Sequence, residues 1–130
     1  MNLYKNSLST GKEGFYDITH KVKECLTKSS VKDGICVIFC PHTTAGITIN
    51  ENTDANVPSD ILLGLKNAFK EDPNFKHFEG NSLAHLKSSV IGCEKTLIVE
   101  NSELVLGTWQ GIFFCEFDGP RKRNFYVKIL

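Results

Sequence analysis

The chain has 130 residues, 41% hydrophobic and 23% charged, with Lys+Arg 15 against Asp+Glu 15 and a formal net charge of zero. That length supports one domain with a real core, and the zero balance argues against general nucleic-acid binding, which needs surplus Lys and Arg to displace counterions. No apolar stretch is long enough to span a bilayer, and the opening MNLYKNSLST lacks the apolar core of a secretory signal. Five cysteines (Cys25, Cys36, Cys40, Cys93 and Cys115) contain no CxxC pair and read as reduced thiols used as small core residues. The expectation is a single domain over residues 1–130, cytoplasmic, with neither a nucleic-acid nor a membrane partner.

Residues 1–8 and the stretch near Phe15 read as short strands joined by a turn at Gly11 and Gly14. Asp17 or Thr19 can cap a helix whose apolar positions Ile18, Val22, Cys25 and Leu26 recur at helical spacing, and Ser29, Ser30 and Asp33-Gly34 end it. The apolar run 35–40 predicts a buried strand, stopped by Pro41, which has no N–H to donate. A strand at 45–50 follows. Asn56, Pro58 and Asp60 start a second helix with a buried stripe of Val57, Ile61, Leu62, Leu65, Ala68 and Phe69, closed by Asp72-Pro73. A shorter helix is predicted over 82–90 with Leu83, Leu86 and Val90 inward. The last third reads as a β-meander of strands at 96–100, 103–107, 111–117 and 124–130, with tight turns at Asn101-Ser102 and Asp118-Gly119-Pro120. Strands and helices first, then strands in succession, point to an α+β fold with mostly antiparallel pairing.

Chemistry-bearing residues gather in three places. PHTTAG carries His42, KHFEGN His77 and AHLKSS His85, and three imidazoles with an open position form a known catalytic zinc arrangement. Their spacings match no standard ligand motif, so separate hydrogen-bonded or surface histidines remain the plainer alternative; His20 reads as surface. In EGNSLAHLKSS, His85 and Ser89 are four apart on a helix face, and Ser82 at the helix start would leave free N–H groups for an anion. The plainer reading is a capped amphipathic helix. In LGTWQGIFFCEFDGPRKR, Glu116 and Asp118 point to one side of a strand and Phe113, Cys115 and Phe117 to the other. The two carboxylates could hold Mg²⁺ or move a proton, and Arg121 and Arg123 could fork a phosphate. Equally, the segment could be a solvated strand face and a charged turn.

HTTAGITINEN, D-x-x-V-P-x-D, EGNSLAHLKSSVIG and LGTWQGIFFCEFDGPRKR occur in this order, and together they resemble the YjbQ family (UPF0047-type), named for secondary thiamine-phosphate synthase activity. The resemblance spans essentially the whole chain. It implies a two-sheet β-sandwich with about three flanking helices, assembled as a homotrimer with sheets around the threefold axis. His42, Thr43, Thr44, Asn50, Glu51, His77, Glu79, Asn81, His85, Lys87, Ser88, Trp109, Gln110, Glu116, Asp118 and Arg121 fall on matching positions.

The implied reaction joins hydroxymethylpyrimidine diphosphate to thiazole phosphate and releases diphosphate, as a weak or secondary transferase activity. On this reading His42, His85, Lys87 and Glu116 are catalytic. Thr43, Thr44, Asn81, Ser88, Gln110 and Arg121 bind the phosphorylated substrate. His42, His77 and His85 hold a divalent metal, Zn or Mg, with Glu116 or Glu51 available to Mg²⁺. The alternative is a trimeric metal- or anion-binding protein without a catalytic role.

Overall fold

The computed structural model describes residues 2–130. Its elements are β1 (Leu3–Ser9), β2 (Gly14–Asp17), α1 (Thr19–Ser29), β3 (Gly34–Phe39), β4 (Ala45–Glu51), α2 (Asn56–Ala68), α3 (Ser82–Ile91), β5 (Glu94–Glu100), β6 (Glu103–Leu104), β7 (Gln110–Glu116) and β8 (Lys122–Ile129). They form an α+β sandwich of a five-stranded sheet, β1-β8-β3-β5-β6, and a three-stranded sheet, β2-β7-β4, antiparallel throughout. Each predicted strand and helix is present near its expected position, although the strand expected over 103–107 is cut to Glu103–Leu104.

Strand partnership differs from the expected meander. Only β5 and β6 form the predicted hairpin, turning on Asn101 and Ser102, both at positive φ. β7 instead enters the centre of the small sheet, and β8 returns to the large sheet between β1 and β3. The reason lies in the two faces of β7. Ile112 and Phe114 join the main core, while Phe113 and Cys115 pack with Phe117 and Ala84 in a second cluster that Leu62, Leu65 and Ile91 help cover. A strand apolar on both faces needs cover on both. β8 alternates buried Arg123, Phe125, Val127 and Ile129 with half-buried residues between them, so one covered face suffices.

β1 and β2 do not pair with each other either. β1 runs against β8 and β2 against β7, so two strand pairs continue as one ribbon that bends from one sheet to the other. At the bend the Thr10 N–H donates to the Arg121 carbonyl at 2.9 Å. A side chain at Gly119 would collide with the Gly11 carbonyl, so the two crossings lie in direct contact. This corner is where the polar residues collect.

The helices carry three further corrections. The N-cap of α1 is Ile18, which makes no side-chain capping bond, rather than Asp17 or Thr19; Asp17, one residue earlier, accepts the Thr19 N–H at 2.9 Å. At α2, however, Asp54 receives the Asn56 N–H while Asp60 lies outside the first turn, and the helix ends at Ala68, before Asp72-Pro73. No residue of its apolar stripe is fully buried, and Ala68 is exposed. In α3 the inward face is Ala84, Lys87 and Ser88, not Leu83, Leu86 and Val90; Val90 is 60% exposed. The cause is close packing on β4. A Cβ at Gly46 would fall 2.6 Å from the Gly92 carbonyl oxygen and 3.2 Å from Ile91 Cγ2, so only small residues fit at this contact.

Candidate functional site

Two polar groupings form at the end of the small sheet where β4 begins and β7 ends. The first is the corner itself. Glu116 is 0% exposed and Arg123 4%, and they form a two-pronged ion pair: Arg123 Nε donates to Glu116 Oε1 at 2.8 Å and Nη2 to Oε2. The Thr10 hydroxyl also donates to Oε1, and the Asp118 N–H donates to Oε2 at 3.0 Å. Arg123 Nη2 reaches Thr44 Oγ1 at 2.9 Å. Burial by itself would raise the Glu116 pKa, but bonds from Arg123, Thr10 and the Asp118 N–H hold it below the usual carboxylate range.

Glu116 therefore faces the sandwich interior with both oxygens occupied, rather than a substrate or Mg²⁺. Thr44, buried beneath it, belongs to the same cluster. Arg121 and Arg123 do not share a ligand. Arg121 is outside, bonded to the Asp118 carbonyl at 2.7 Å and to its carboxylate at 2.9 Å. Asn81 donates to the same carboxylate oxygen at 2.8 Å, and with Arg121 it lowers the Asp118 pKa.

His42 braces this corner. Its Nε2 accepts the Asn124 backbone N–H at 2.9 Å, and its ring meets Phe114 edge-on, centroids 6.4 Å apart. Burial and then the neighbouring Arg123 charge push its pKa down, so it is a neutral imidazole carrying its proton on Nδ1.

The second grouping is an open cleft of about 460 Å³ lined by Thr43, His85, Ser88, Ser89, Gly92 and Cys93. Here the i, i+4 pair His85 and Ser89 shares a face, as expected. His77 joins His85 from the loop before α3, the two rings edge-on with centroids 5.0 Å apart. Ser88 spends its hydroxyl proton on the Ala45 carbonyl at 2.7 Å, anchoring α3 to β4. The N-cap of α3 is Asn81 rather than Ser82 and makes no side-chain capping bond.

Two expected members stand apart. Lys87 is 7% exposed, on the opposite flank of α3 from His85, with its ammonium 2.6 Å from the Glu13 carboxylate. Gln110 and Glu51 pair at the far end of β7 and β4, about 20 Å along the strand from Glu116. There Gln110 Oε1 accepts the Gly107 N–H at 2.7 Å. Among the described residues no three His, Cys, Asp or Glu side chains are placed to hold one metal ion. The three histidines thus do not form a common centre within one chain; only His77 and His85 are neighbours.

Sequence reasoning missed Thr10 and Glu13, and saw Arg123 only as a phosphate ligand. The signal for Arg123 was present: it occupies the inward position of the same alternation as Phe125, Val127 and Ile129. No local pattern marks Thr10 or Glu13, whose roles come from distant partners.

The match to known proteins covers the whole of this architecture. The model of the UPF0047 protein YjbQ-like family matches residues 5–130. The chain belongs to the YjbQ/UPF0047 family. It is 54% identical to UPF0047 protein MJ1081 of Methanocaldococcus jannaschii, over 98% of this chain and 94% of that protein. It is 47% identical to UPF0047 protein YugU of Bacillus subtilis, over 94% and 93%. The crystal structure of an uncharacterised YjbQ/UPF0047 protein from Clostridium acetobutylicum superposes with a TM-score of 0.95 at 53% identity, covering 98% of this chain and 99% of that one. Among the described residues no helix is long and apolar enough to cross a membrane.

Proposed function

We propose that this YjbQ-family chain handles a small phosphorylated ligand in the cleft beside His77 and His85. The reaction is of the thiamine-phosphate synthase type, as a weak or secondary activity. The observation that carries this reading is the pairing of two imidazoles 5.0 Å apart with a cleft that offers the Thr43 and Ser89 hydroxyls. The reaction breaks the bond between the pyrimidine methylene carbon and the diphosphate oxygen and forms one from that carbon to the thiazole nitrogen. Charge grows on the departing diphosphate, and imidazole N–H groups and hydroxyls are donors suited to it. His42 acts by holding the Thr43 loop against β8. Lys87, Arg121 and Glu116, committed elsewhere, are outside the reacting group.

A divalent metal enters this reading through His77 and His85 alone. The pair would supply two imidazole ligands of a kind that Zn²⁺ takes, the rest falling to water or ligand. Such an ion would polarise phosphate oxygens.

A second reading, a homotrimeric anion- or metal-binding protein, has its own support. On the outer face of the large sheet Leu130, Ile35, Ile98 and Val105 form an exposed apolar row across neighbouring strands, with Leu3 and Phe39 nearby. Self-association over this face is common to both readings, and Ile98→Glu should lower the mass measured by light scattering.

Thiamine-phosphate formation by metal-defined protein, beside His85→Ala at unchanged thermal stability, separates the two. A drop of about a hundredfold, ~2.7 kcal/mol of barrier, supports the enzyme. Equal trace rates leave the binding protein.

A further inference from the structure

Four of the five cysteines are buried, as small core residues should be, but Cys93 is exposed and lines the cleft. A second thiol stands opposite it. β3 and β5 pair antiparallel from Gly34↔Val99 to Phe39↔Glu94, and the next step along that ladder sets Cys40 against Cys93. The Cys40 N–H donates to the Cys93 carbonyl at 2.7 Å, so the pairing continues through this position.

Directly opposed residues of an antiparallel pair have Cα atoms about 4.5–5.5 Å apart and side chains on one face. That lies inside the Cα spacing of roughly 4.4–6.8 Å that a disulfide spans. The face is the one that carries Cys36, Ile38, Leu97 and Val99 into the sandwich interior. Cys40 sits within it, 1% exposed, and Cys93 sits where it opens to the cleft. Burial pushes the Cys40 thiol up to about 11, and the Cys93 sulfur is near enough to add to the rise.

We propose that Cys93 and Cys40 form an oxidisable dithiol at the edge of the cleft, a modification site for low-molecular-weight disulfides in which Cys93 receives the oxidant and Cys40 resolves it. The Cys93 thiolate attacks one sulfur of the small disulfide, a mixed disulfide forms, and one small thiol leaves. Cys40 then attacks Cys93 Sγ, the mixed bond breaks, and the second small thiol leaves. Two protein thiols are oxidised, one small disulfide is reduced to two thiols, and the protons pass to the thiols released. Cys25, Cys36 and Cys115 are buried and offer no entry for the first step. The second step is the slow one, because little of the Cys40 sulfur is thiolate. Closure ties the strand end that leads into the Thr43 loop to the turn that leaves α3, the two walls of the cleft.

The test treats native protein with 5,5′-dithiobis(2-nitrobenzoate) at pH 8 and counts the coloured thiolate released. Wild type should release two per chain, one promptly and one slowly. Intact-mass spectrometry should then find a single covalent chain two hydrogens lighter than the reduced one, with no adduct retained. Cys40→Ser should stop at one and keep the adduct, and native Cys93→Ser should release none. Peptide mapping of the oxidised, alkylated wild type should find Cys40 joined to Cys93, which decides the matter even if Cys40→Ser fails to fold. A wild-type reaction that stops at one with the adduct retained, that releases none, or that joins Cys93 to another cysteine or a second chain overturns the proposal.

Discussion

Replacing Glu116 with Gln changes one oxygen to an NH₂ group in a side chain with no solvent exposure. The Arg123 guanidinium, itself 4% exposed, then keeps Thr44 Oγ1 and one neutral oxygen but loses the charge that balances it. Removing one partner of a buried pair costs about 3–5 kcal/mol, because the remaining charge stays buried and unpaired. For a chain of this size that is a fall of roughly 10–20 °C in Tm. Urea unfolding by far-UV circular dichroism at fixed protein concentration reads it, with Arg123→Met and the double variant alongside. The double variant should cost less than the two single changes summed, by ~2 kcal/mol or more, since it leaves no orphan charge. A Glu116→Gln protein within ~1 kcal/mol of wild type that has lost ligand binding would refute the reasoning: the carboxylate would then serve the ligand and not the corner.

Stability should decline on acidification in two stages. The folded-state pKa of His42 lies below its ordinary 6.5, so the unfolded chain binds that proton more readily; its contribution is intact above pH 6.5 and lost as pH falls below it. Glu116, depressed below 4.5, repeats this at lower pH. Urea midpoints from pH 8 down to about 2.5 check both stages, with His42→Gln removing the first; a flat profile between pH 7.5 and 5.5 contradicts the His42 geometry. Cys93 is the exposed thiol, whereas burial pushes Cys36 up to about 12 and Cys40 to about 11. An alkylating reagent should therefore titrate one group in native protein and five in denaturant.

How far the sequence could be read depended on whether its pattern was local. Elements were legible because apolar period is local: Ile18, Val22, Cys25 and Leu26 form the buried face of α1 and its approach, as read. Sheet partnership was not, because it joins β1 to β8 and β2 to β7 across the length of the chain. The α3 face was misread because hydrophobicity is a poor guide where a helix lies on a glycine-bearing strand. There the small Ala84 and Ser88 go inside, and the large Val90 stays out. For the site, His85 and Ser89 were legible from i, i+4 spacing. The neighbourhood of His77 depends on an irregular turn, which no periodicity reports. Glu116 was correctly placed on its strand face, but its role needed Arg123 and Thr10, seven and 106 residues away in sequence.

Gln110 tests the cleft from the opposite direction. It follows Trp109 in one of the four stretches that carry the family resemblance, yet it sits about 20 Å along β7 from the corner and closes its own loop through Gly107. If the ligand site is made by Thr43, His77, His85 and Ser89 of one chain, Gln110→Ala removes one exposed hydrogen bond, costs about 1 kcal/mol of stability, and leaves ligand affinity unchanged. Calorimetric titration of wild type and variant with the same probe, at matched oligomeric mass, measures this directly. A tenfold or larger loss of affinity would mean that the cleft is completed by the far end of a neighbouring copy. No side chain on β7 can reach that distance, and a strand seven residues long cannot fold back on itself to bring Gln110 there.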